Sequence, residues 1–363
     1  MNIRSIETTV VEIPFSDGGR GEGITPTTWN TLETVLVRVG DDEGNVGWGE
    51  GFGYFCADAT RYMIERNIKP LTVGTTVDDI PAWNATMQRR LHLFGRYGVT
   101  VFAISGVDMA LWDLRARREG VPLRDLLGPG RATALGFYGS LVRYADSKVA
   151  PAMCERALSD GFSDLKLHEI RMDEIRACRD AVGDRVPISV DVNGNWSEAE
   201  AAANADRLAE GGYTWLEEPV FPPEDFAALA RLRGRGIDIA AGENWCTAVQ
   251  FGAAARAGAV DQLQPSVTKV GGISEFLAVV ELAASHGLDV LPHSPYFGPG
   301  LCATMHLAAA LPAVGQLEYL YVDREATLFD HGQVKPGGML DLPPGPGLGF
   351  TPDPDVLRRY TRE

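Results

Sequence analysis

Three acidic residues, Asp191, Glu217 and Glu243, follow one another at intervals of 26 residues, and each closes or follows a short apolar run. The runs are PISVDVN (187–193), YTWLEEP (213–219) and IDIAAGEN (237–244). Between them lie stretches of helical composition, SEAEAAANADRLAEGG and DFAALARLRGRG, so the chain repeats one strand-plus-helix unit. That alternation predicts a parallel sheet. In a closed (β/α)8 barrel, consecutive strands are neighbours and functional residues sit where strands end, so the three carboxylates would converge on one point. Converging carboxylates need a cation. With hard oxygen ligands and no clustered Cys or His beside them, the expected ion is Mg2+, which keeps positions open for substrate oxygens. Any one of these acids alone could merely cap the next helix; the even spacing of all three argues for a metal site.

The alternation begins at LGFYGSL (135–141) and runs through FSDLKLH, the three acidic segments, VDQLQPSV, LDVLPHS and GQLEYL, which makes eight strands. Ahead of it, residues 2–15, 32–39 and 46–50 read as an antiparallel meander. Helical patterns follow, ending in VTVFAISGVDMALWDLRARREG, so the first 125 residues or so form a separate α+β lobe. After the last strand, KPGGMLDLPPGPGLGFTPDP is too rich in Gly and Pro for a barrel helix. Leu340, Leu342, Leu348 and Phe350 predict that this tail is ordered by packing back on the first lobe.

A net charge of −16, with no run of Lys or Arg, excludes the basic footprint of a nucleic-acid or anionic-membrane partner. The five cysteines are scattered, odd in number and lack CxxC spacing, which fits a reducing compartment, by default the cytoplasm. The opening MNIRSIETTVVEIPF alternates like a strand and has no cationic, long-apolar signal pattern; no membrane span is expected.

Lys166 and His168 lie two apart on FSDLKLHEI, so in a strand they point to one face, the barrel interior. A buried Lys is costly unless carboxylates or an anionic substrate compensate it. His293, in DVLPHSP, closes the seventh strand and would face the same cavity from the other side. The remaining histidines, His92, His286, His306 and His331, fall away from strand ends and receive no role.

These residues resemble the enolase superfamily, and within it the mandelate racemase group, over essentially the whole chain. The resemblance rests on Lys166-Leu167-His168, on the metal strands Asp191-Val-Asn193, Glu217-Glu-Pro and Gly-Glu243-Asn, on KVGGI (269–273), and on His293. ALWDLRARREGVPLRDLLG and PGLGF also look like that family. It implies a modified (β/α)7β TIM-type barrel over 129–335, an α+β capping domain over 1–128 completed by 336–363, one Mg2+ per subunit, and removal of a proton α to a carboxylate. A homo-oligomer, dimer or octamer, is implied by the family alone. The chemistry is sound on physical grounds: proton loss beside a carboxylate builds a second negative charge, which a Lewis acid stabilises as it develops. In that family a Lys or His base works beside the ion. Lys166 would then donate to the substrate carboxylate and Glu318, on QLEYL, would contact its other oxygen if protonated.

Departures from the family pattern select the reaction. His168 stands where racemase relatives carry a second Lys, and Ser266 where they carry an Asp that orients the seventh-strand His. Without that charge the His293 imidazole is a weaker base, though it can still serve as an acid. The asymmetry favours dehydration of an acid sugar (aldonate or aldarate) to a 2-keto-3-deoxy acid, with His168, or else Lys166, as base and His293 as acid, Ser266 holding its ring. A racemase or epimerase of a 2-hydroxy or amino acid derivative, a cycloisomerase, and a metal-binding homologue without turnover are the alternatives. Specificity is expected from Gly-rich, aromatic loops at 16–30 and 51–56 acting as a lid. Arg20 would clamp a distal carboxylate, and Trp29, Tyr54, Asn193, Trp245 and Tyr296 would line the pocket.

Overall fold

The computed structural model describes residues 1–21 and 28–362. Part of the expected lid, residues 22–27, lies outside the described residues.

Alternating apolar residues build three long antiparallel strands, β1 (Ile3–Ser16), β2 (Thr31–Asp41) and β3 (Val46–Phe52). They are followed by α1 (Ala57–Met63), a π-helical turn (Ile64–Ile68), α2 (Lys69–Thr72), α3 (Ile80–Arg90), α4 (Val99–Glu119) and α5 (Arg124–Leu127). α3 starts where Asp79 accepts the Ala82 amide at 2.9 Å, with a proline in its first turn. α4 lies directly on the sheet because β3 is glycine at alternate positions. A Cβ on Gly47 would stand 2.2 Å from the Ala110 carbonyl oxygen, and one on Gly49 2.1 Å from that of Gly106. The closeness lets Ile104, Val107 and Leu111 bury against Val10, Val35 and Val37, each side chain contributing about 1.5–3 kcal/mol.

The second part alternates without exception: β4 (Ala134–Ser140), α6 (Val149–Ser159), β5 (Leu165–Leu167), α7 (Met172–Val182), β6 (Ile188–Asp191), α8 (Glu198–Glu210), β7 (Trp215–Glu217), α9 (Phe226–Leu232), β8 (Asp238–Ala241), α10 (Thr247–Ala257), β9 (Gln262–Leu263), α11 (Gly272–His286), β10 (Asp289–Val290), α12 (Pro299–Ala310) and β11 (Leu317–Leu320). These eight strands pair in parallel in the order β10-β9-β8-β7-β6-β5-β4-β11, and a parallel bridge from Val290 to Val314 spans the last gap. Seven strands are followed by a helix and the eighth is not, which is the modified (β/α)7β barrel expected from the sequence. α8 carries a reciprocal capping box between Ser197 and Glu200. α12 is buried on every side because α5 and β3 of the first lobe cover it.

Past β11 the chain leaves the barrel. β12 (Asp323–Arg324) pairs with the end of β1, so the chain re-enters the first sheet before residue 336. β13 (Met339–Asp341) pairs antiparallel with the start of β4, and α13 (Pro354–Tyr360) packs on β1. Leu340, Leu348 and Phe350 are buried and Leu342 half-buried, so the Gly/Pro-rich tail is ordered by its apolar residues. No helix among the described residues is long and apolar enough to cross a membrane.

Buried carboxylates fasten the lobe to the barrel. Asp108 of α4 accepts from Asn84 (2.7 Å) and from the amide and hydroxyl of Ser274 in α11 (3.0 and 2.6 Å). Asp113 accepts the amides of Trp48 and Leu348 and the Arg117 guanidinium, joining sheet, helix and tail. Glu50 of β3 accepts the Gly300 amide in the first turn of α12 at 2.8 Å, and burial pushes its carboxyl up to about 7. The folded state therefore holds this proton more tightly than the unfolded chain, and stability falls as pH rises from the ordinary carboxylate value through about 7. A Glu50→Gln variant keeps an acceptor for Gly300 and is expected to lose less stability than the parent between pH 5 and pH 8. The difference, on the order of 3 kcal/mol, is measurable by denaturant unfolding at the two pH values.

Candidate active site

Strand register assembles the acidic cluster. Asp191 and Glu217 end β6 and β7 and stand directly opposite each other in the parallel ladder. Glu243 lies two residues beyond β8 and reaches the same point through Gly242, whose φ of +141° suits glycine alone. A Cβ there would also stand 2.8 Å from the Phe251 ring and 2.9 Å from the Gln264 amide nitrogen. Ligand oxygens of the three acids fall within 4.8 Å of one another, the span of one coordination sphere. Each is held from behind: Asp191 by the Asn193 amide (2.9 Å), Glu217 by the Trp215 indole (3.4 Å), Glu243 by the Asn244 side chain (3.1 Å). The electrostatics fit a cation. Burial, and then repulsion from Asp191, push the Glu217 carboxyl well above the usual carboxylate range, as expected where clustered negative charge exceeds the positive charge supplied by side chains. Hard oxygen donors in this grouping form a metal-binding site.

Lys166 sits at the centre. It is fully buried, and its ammonium is 2.9 Å from Glu217, 2.9 Å from Glu318 and 3.4 Å from Asp191. Burial alone would favour the neutral amine, but Glu217 and Glu318 outweigh it and hold the proton firmly. His168 shares the inward face of the strand, as its spacing from Lys166 requires. Its Nδ1 meets the Leu141 carbonyl at 2.5 Å, so this nitrogen carries a proton, and Nε2 lies 3.2 Å from Asp191. Asp191 raises the His168 pKa against the opposing effect of burial.

Glu318 departs from expectation. A contact with a substrate carboxylate requires it to be protonated. Here the Lys166 ammonium, and after it His293, override burial and keep its carboxyl below the ordinary value; Ser140 (2.7 Å) and the Ser294 amide (3.1 Å) donate to it as well. It is an ionised, buried partner of Lys166. Ser266 departs too. Its Oγ contacts the Tyr296 hydroxyl, and that hydroxyl stands 3.4 Å from His293 Nδ1, so the serine reaches the imidazole only through a tyrosine. His293 Nε2 lies 2.9 Å from Glu243.

Beside this cluster lies a cavity of about 90 Å³, lined by Trp29, Phe52, Tyr54, Val142, Pro295 and Leu320 together with His168, Glu243, Lys269, His293 and Glu318. Trp29 and Tyr54 both belong to this lining. Asn193 turns the chain (φ +44°) and lies outside this lining, and Arg20 is exposed and outside it as well. Trp245 does not reach the cavity: it is buried between Phe226 and Phe251, and its indole donates to the Pro223 carbonyl at 3.0 Å. Tyr296 is buried behind His293. Lys269, which opens the glycine motif after the sixth strand, also faces the cavity; its ammonium donates to Asn244 Oδ1 at 2.9 Å and the Phe52 ring lies 4.9 Å away.

A capped, closed parallel barrel with a strand-end metal site defines the structural class. Family models agree: "Mandelate racemase / muconate lactonizing enzyme, N-terminal domain" matches residues 8–128 and "Enolase C-terminal domain-like" matches 149–356. The chain belongs to the mandelate racemase/muconate lactonizing group of the enolase superfamily. It is 32% identical over 349 residues to D-galactarolactone cycloisomerase of Agrobacterium fabrum, covering 90% of each chain. It is 31% identical over 345 residues to arabinonate dehydratase of Saccharolobus solfataricus, covering 91% of each. Among solved structures, a racemase from Streptomyces coelicolor with bound magnesium superposes with a TM-score of 0.85 at 28% identity, over 99% of this chain and 100% of that one.

Binding of a divalent cation to this cluster stabilises the fold by mass action, about 2.7 kcal/mol at a hundredfold excess over Kd. Thermal unfolding with and without MgCl2 should show that increase for the parent chain and almost none for Asp191→Asn or Glu243→Gln. An equal increase in the variants would place the ion elsewhere.

Proposed function

We propose that the protein removes the proton α to the carboxylate of a sugar-derived acid and expels the β-hydroxyl as water, leaving a 2-keto-3-deoxy acid. The resident ion is Mg2+, held by Asp191, Glu217 and Glu243. When bound it supplies Lewis-acid stabilisation of the negative charge that proton removal builds on the carboxylate.

The observation that carries this reading is the unlike setting of two imidazoles on one cavity. His168 is fixed by a main-chain carbonyl at Nδ1 and turns Nε2 toward the cluster. His293 stands across β4 and β11 with a neutral hydroxyl, and no carboxylate, at its Nδ1. A racemase wants comparable bases on its two faces; an elimination wants one base and one acid. His168 Nε2 takes the α-proton, the carbon–oxygen bond to the β-hydroxyl breaks, and His293 Nε2–H delivers the proton that makes the leaving group water. Lys166 is unsuited as the base, since three carboxylates hold its proton and it lies beneath the cavity surface. It positions Glu217 and Glu318.

A second reading draws on the opposite wall. Trp29, Phe52 and Tyr54 present aromatic faces, and the Tyr54 hydroxyl is already committed to the Pro295 carbonyl at 2.6 Å. Hydroxyls of an extended polyol against this wall would go unpaired, at a cost of roughly 1–3 kcal/mol each, whereas the C–H face of a sugar ring packs on it. If the β-oxygen belongs to a ring, the same steps open the ring and lose no water, which is a cycloisomerisation. The likeness to a galactarolactone cycloisomerase supports this variant.

Incubation in D2O with MgCl2 and a panel of aldonic and aldaric acids, their lactones and their anhydro forms, followed by NMR and mass spectrometry, separates these outcomes. A keto acid with loss of water supports dehydration, and a keto acid of unchanged composition from a cyclic substrate supports ring opening. Deuterium at C2 with inverted configuration and no keto acid would sink both. His293→Asn is expected to slow product formation about 100- to 10,000-fold while the Mg2+-dependent thermal shift persists.

A further inference from the structure

We propose that Tyr296, itself oriented by Ser266, is the positioning residue of His293: its hydroxyl oxygen accepts the Nδ1–H, which turns Nε2 toward the cavity.

Tyr296 follows His293 by three residues in the segment between β10 and α12 and is almost wholly buried. Its ring packs edge-on against the imidazole, with centroids 5.9 Å apart at 80°, and tilted against Tyr54 at 6.3 Å. The ring therefore has little freedom, and its hydroxyl has Ser266 Oγ, the Thr268 side chain and His293 Nδ1 as polar neighbours, the serine closest. Ser266 is fully buried and has Thr268 Oγ1 as its next contact at 3.5 Å. The direction of the chain follows from acidity. A phenol is a stronger acid than an aliphatic alcohol, so in the close contact Tyr296 donates to Ser266, and Ser266 passes its own proton on toward Thr268. The phenol oxygen then has only lone pairs to offer Nδ1, which must carry the hydrogen. Burial pushes the Tyr296 pKa far up, so the group remains a neutral hydroxyl throughout.

Two consequences separate this arrangement from a carboxylate partner. A carboxylate is acceptor-only and brings a full charge that stabilises the imidazolium. The Ser266–Tyr296 pair fixes the same ring edge without bringing that charge to Nδ1. The pair also links the orientation of His293 to Tyr54, and so to the first lobe.

The inference rests on His293 facing substrate as proposed above, but it is tested without substrate, so a wrong reaction leaves the test intact. In the magnesium-loaded full-length protein, the Nδ1–H resonance of His293 is identified by its absence in His293→Asn. It should be visible and slowly exchanging in the parent chain. Tyr296→Phe, which keeps the packed ring, is expected to speed its exchange with water about fivefold or more, the equilibrium weight of one ordinary hydrogen bond. Ser266→Ala should give a smaller acceleration, and none in the Tyr296→Phe background, because the serine acts only through the tyrosine. A parent spectrum with no Nδ1–H resonance for His293, an exchange rate unchanged in Tyr296→Phe, or an effect of Ser266→Ala that survives loss of the tyrosine hydroxyl would each overturn the proposal.

Discussion

The ammonium of Lys166, buried without solvent contact among Asp191, Glu217 and Glu318, is the interaction on which the rest depends. A lone buried ammonium or a lone group of buried carboxylates would each cost several kcal/mol, and neither is viable alone. Together they still leave negative charge in excess, and that excess makes the centre a cation site rather than a settled ion pair. The geometry of the barrel serves this balance. Parallel register sets Asp191 beside Glu217, the inward face of β5 brings Lys166 and His168 under them, and β11 returns Glu318 from the far side.

The first lobe is a structural partner of this centre rather than an appendage. Asp108, Asp113 and Glu50 are all buried at its junction with the barrel and tail, each satisfied by main-chain amides. Such contacts are directional, and misplacing the lobe would strand carboxyls whose proton affinity is already raised by burial. That fixed docking is what allows Trp29, Phe52 and Tyr54 to form one wall of a cavity whose other wall is the barrel's polar mouth. The two walls differ in kind: the barrel side is charged and polar, the lobe side aromatic.

Chemistry at strand ends was legible because a strand has period two and a strand-helix unit has nearly constant length. Period two puts Lys166 and His168 on one face, and the constant unit length puts Asp191, Glu217 and Glu243 at successive strand ends. Residues in the segments after strands have no such period. Trp245 follows the ligand Glu243 by two positions yet turns outward into an aromatic cluster, because Gly242 bends the chain just before it. Lys269 sits inside a glycine-rich turn whose direction only the packed structure sets. Glu318 lay on a correctly assigned strand, but its ionised state depends on the Lys166 ammonium brought to it from 152 positions away in the chain, a neighbour no local pattern reveals.

What the sequence by itself determined was the barrel, the metal cluster and the face of each strand that carries chemistry, since these follow from periodicity and from the electrostatics of like charges. What only the tertiary structure decided was who stands behind whom: that a tyrosine hydroxyl intervenes between Ser266 and His293, that Lys166 is locked to carboxylates, and that an aromatic wall closes the cavity. The reason is physical. Contacts between residues on different elements are fixed by how those elements pack, and a side chain in a loop takes its direction from that packing rather than from its place in the chain.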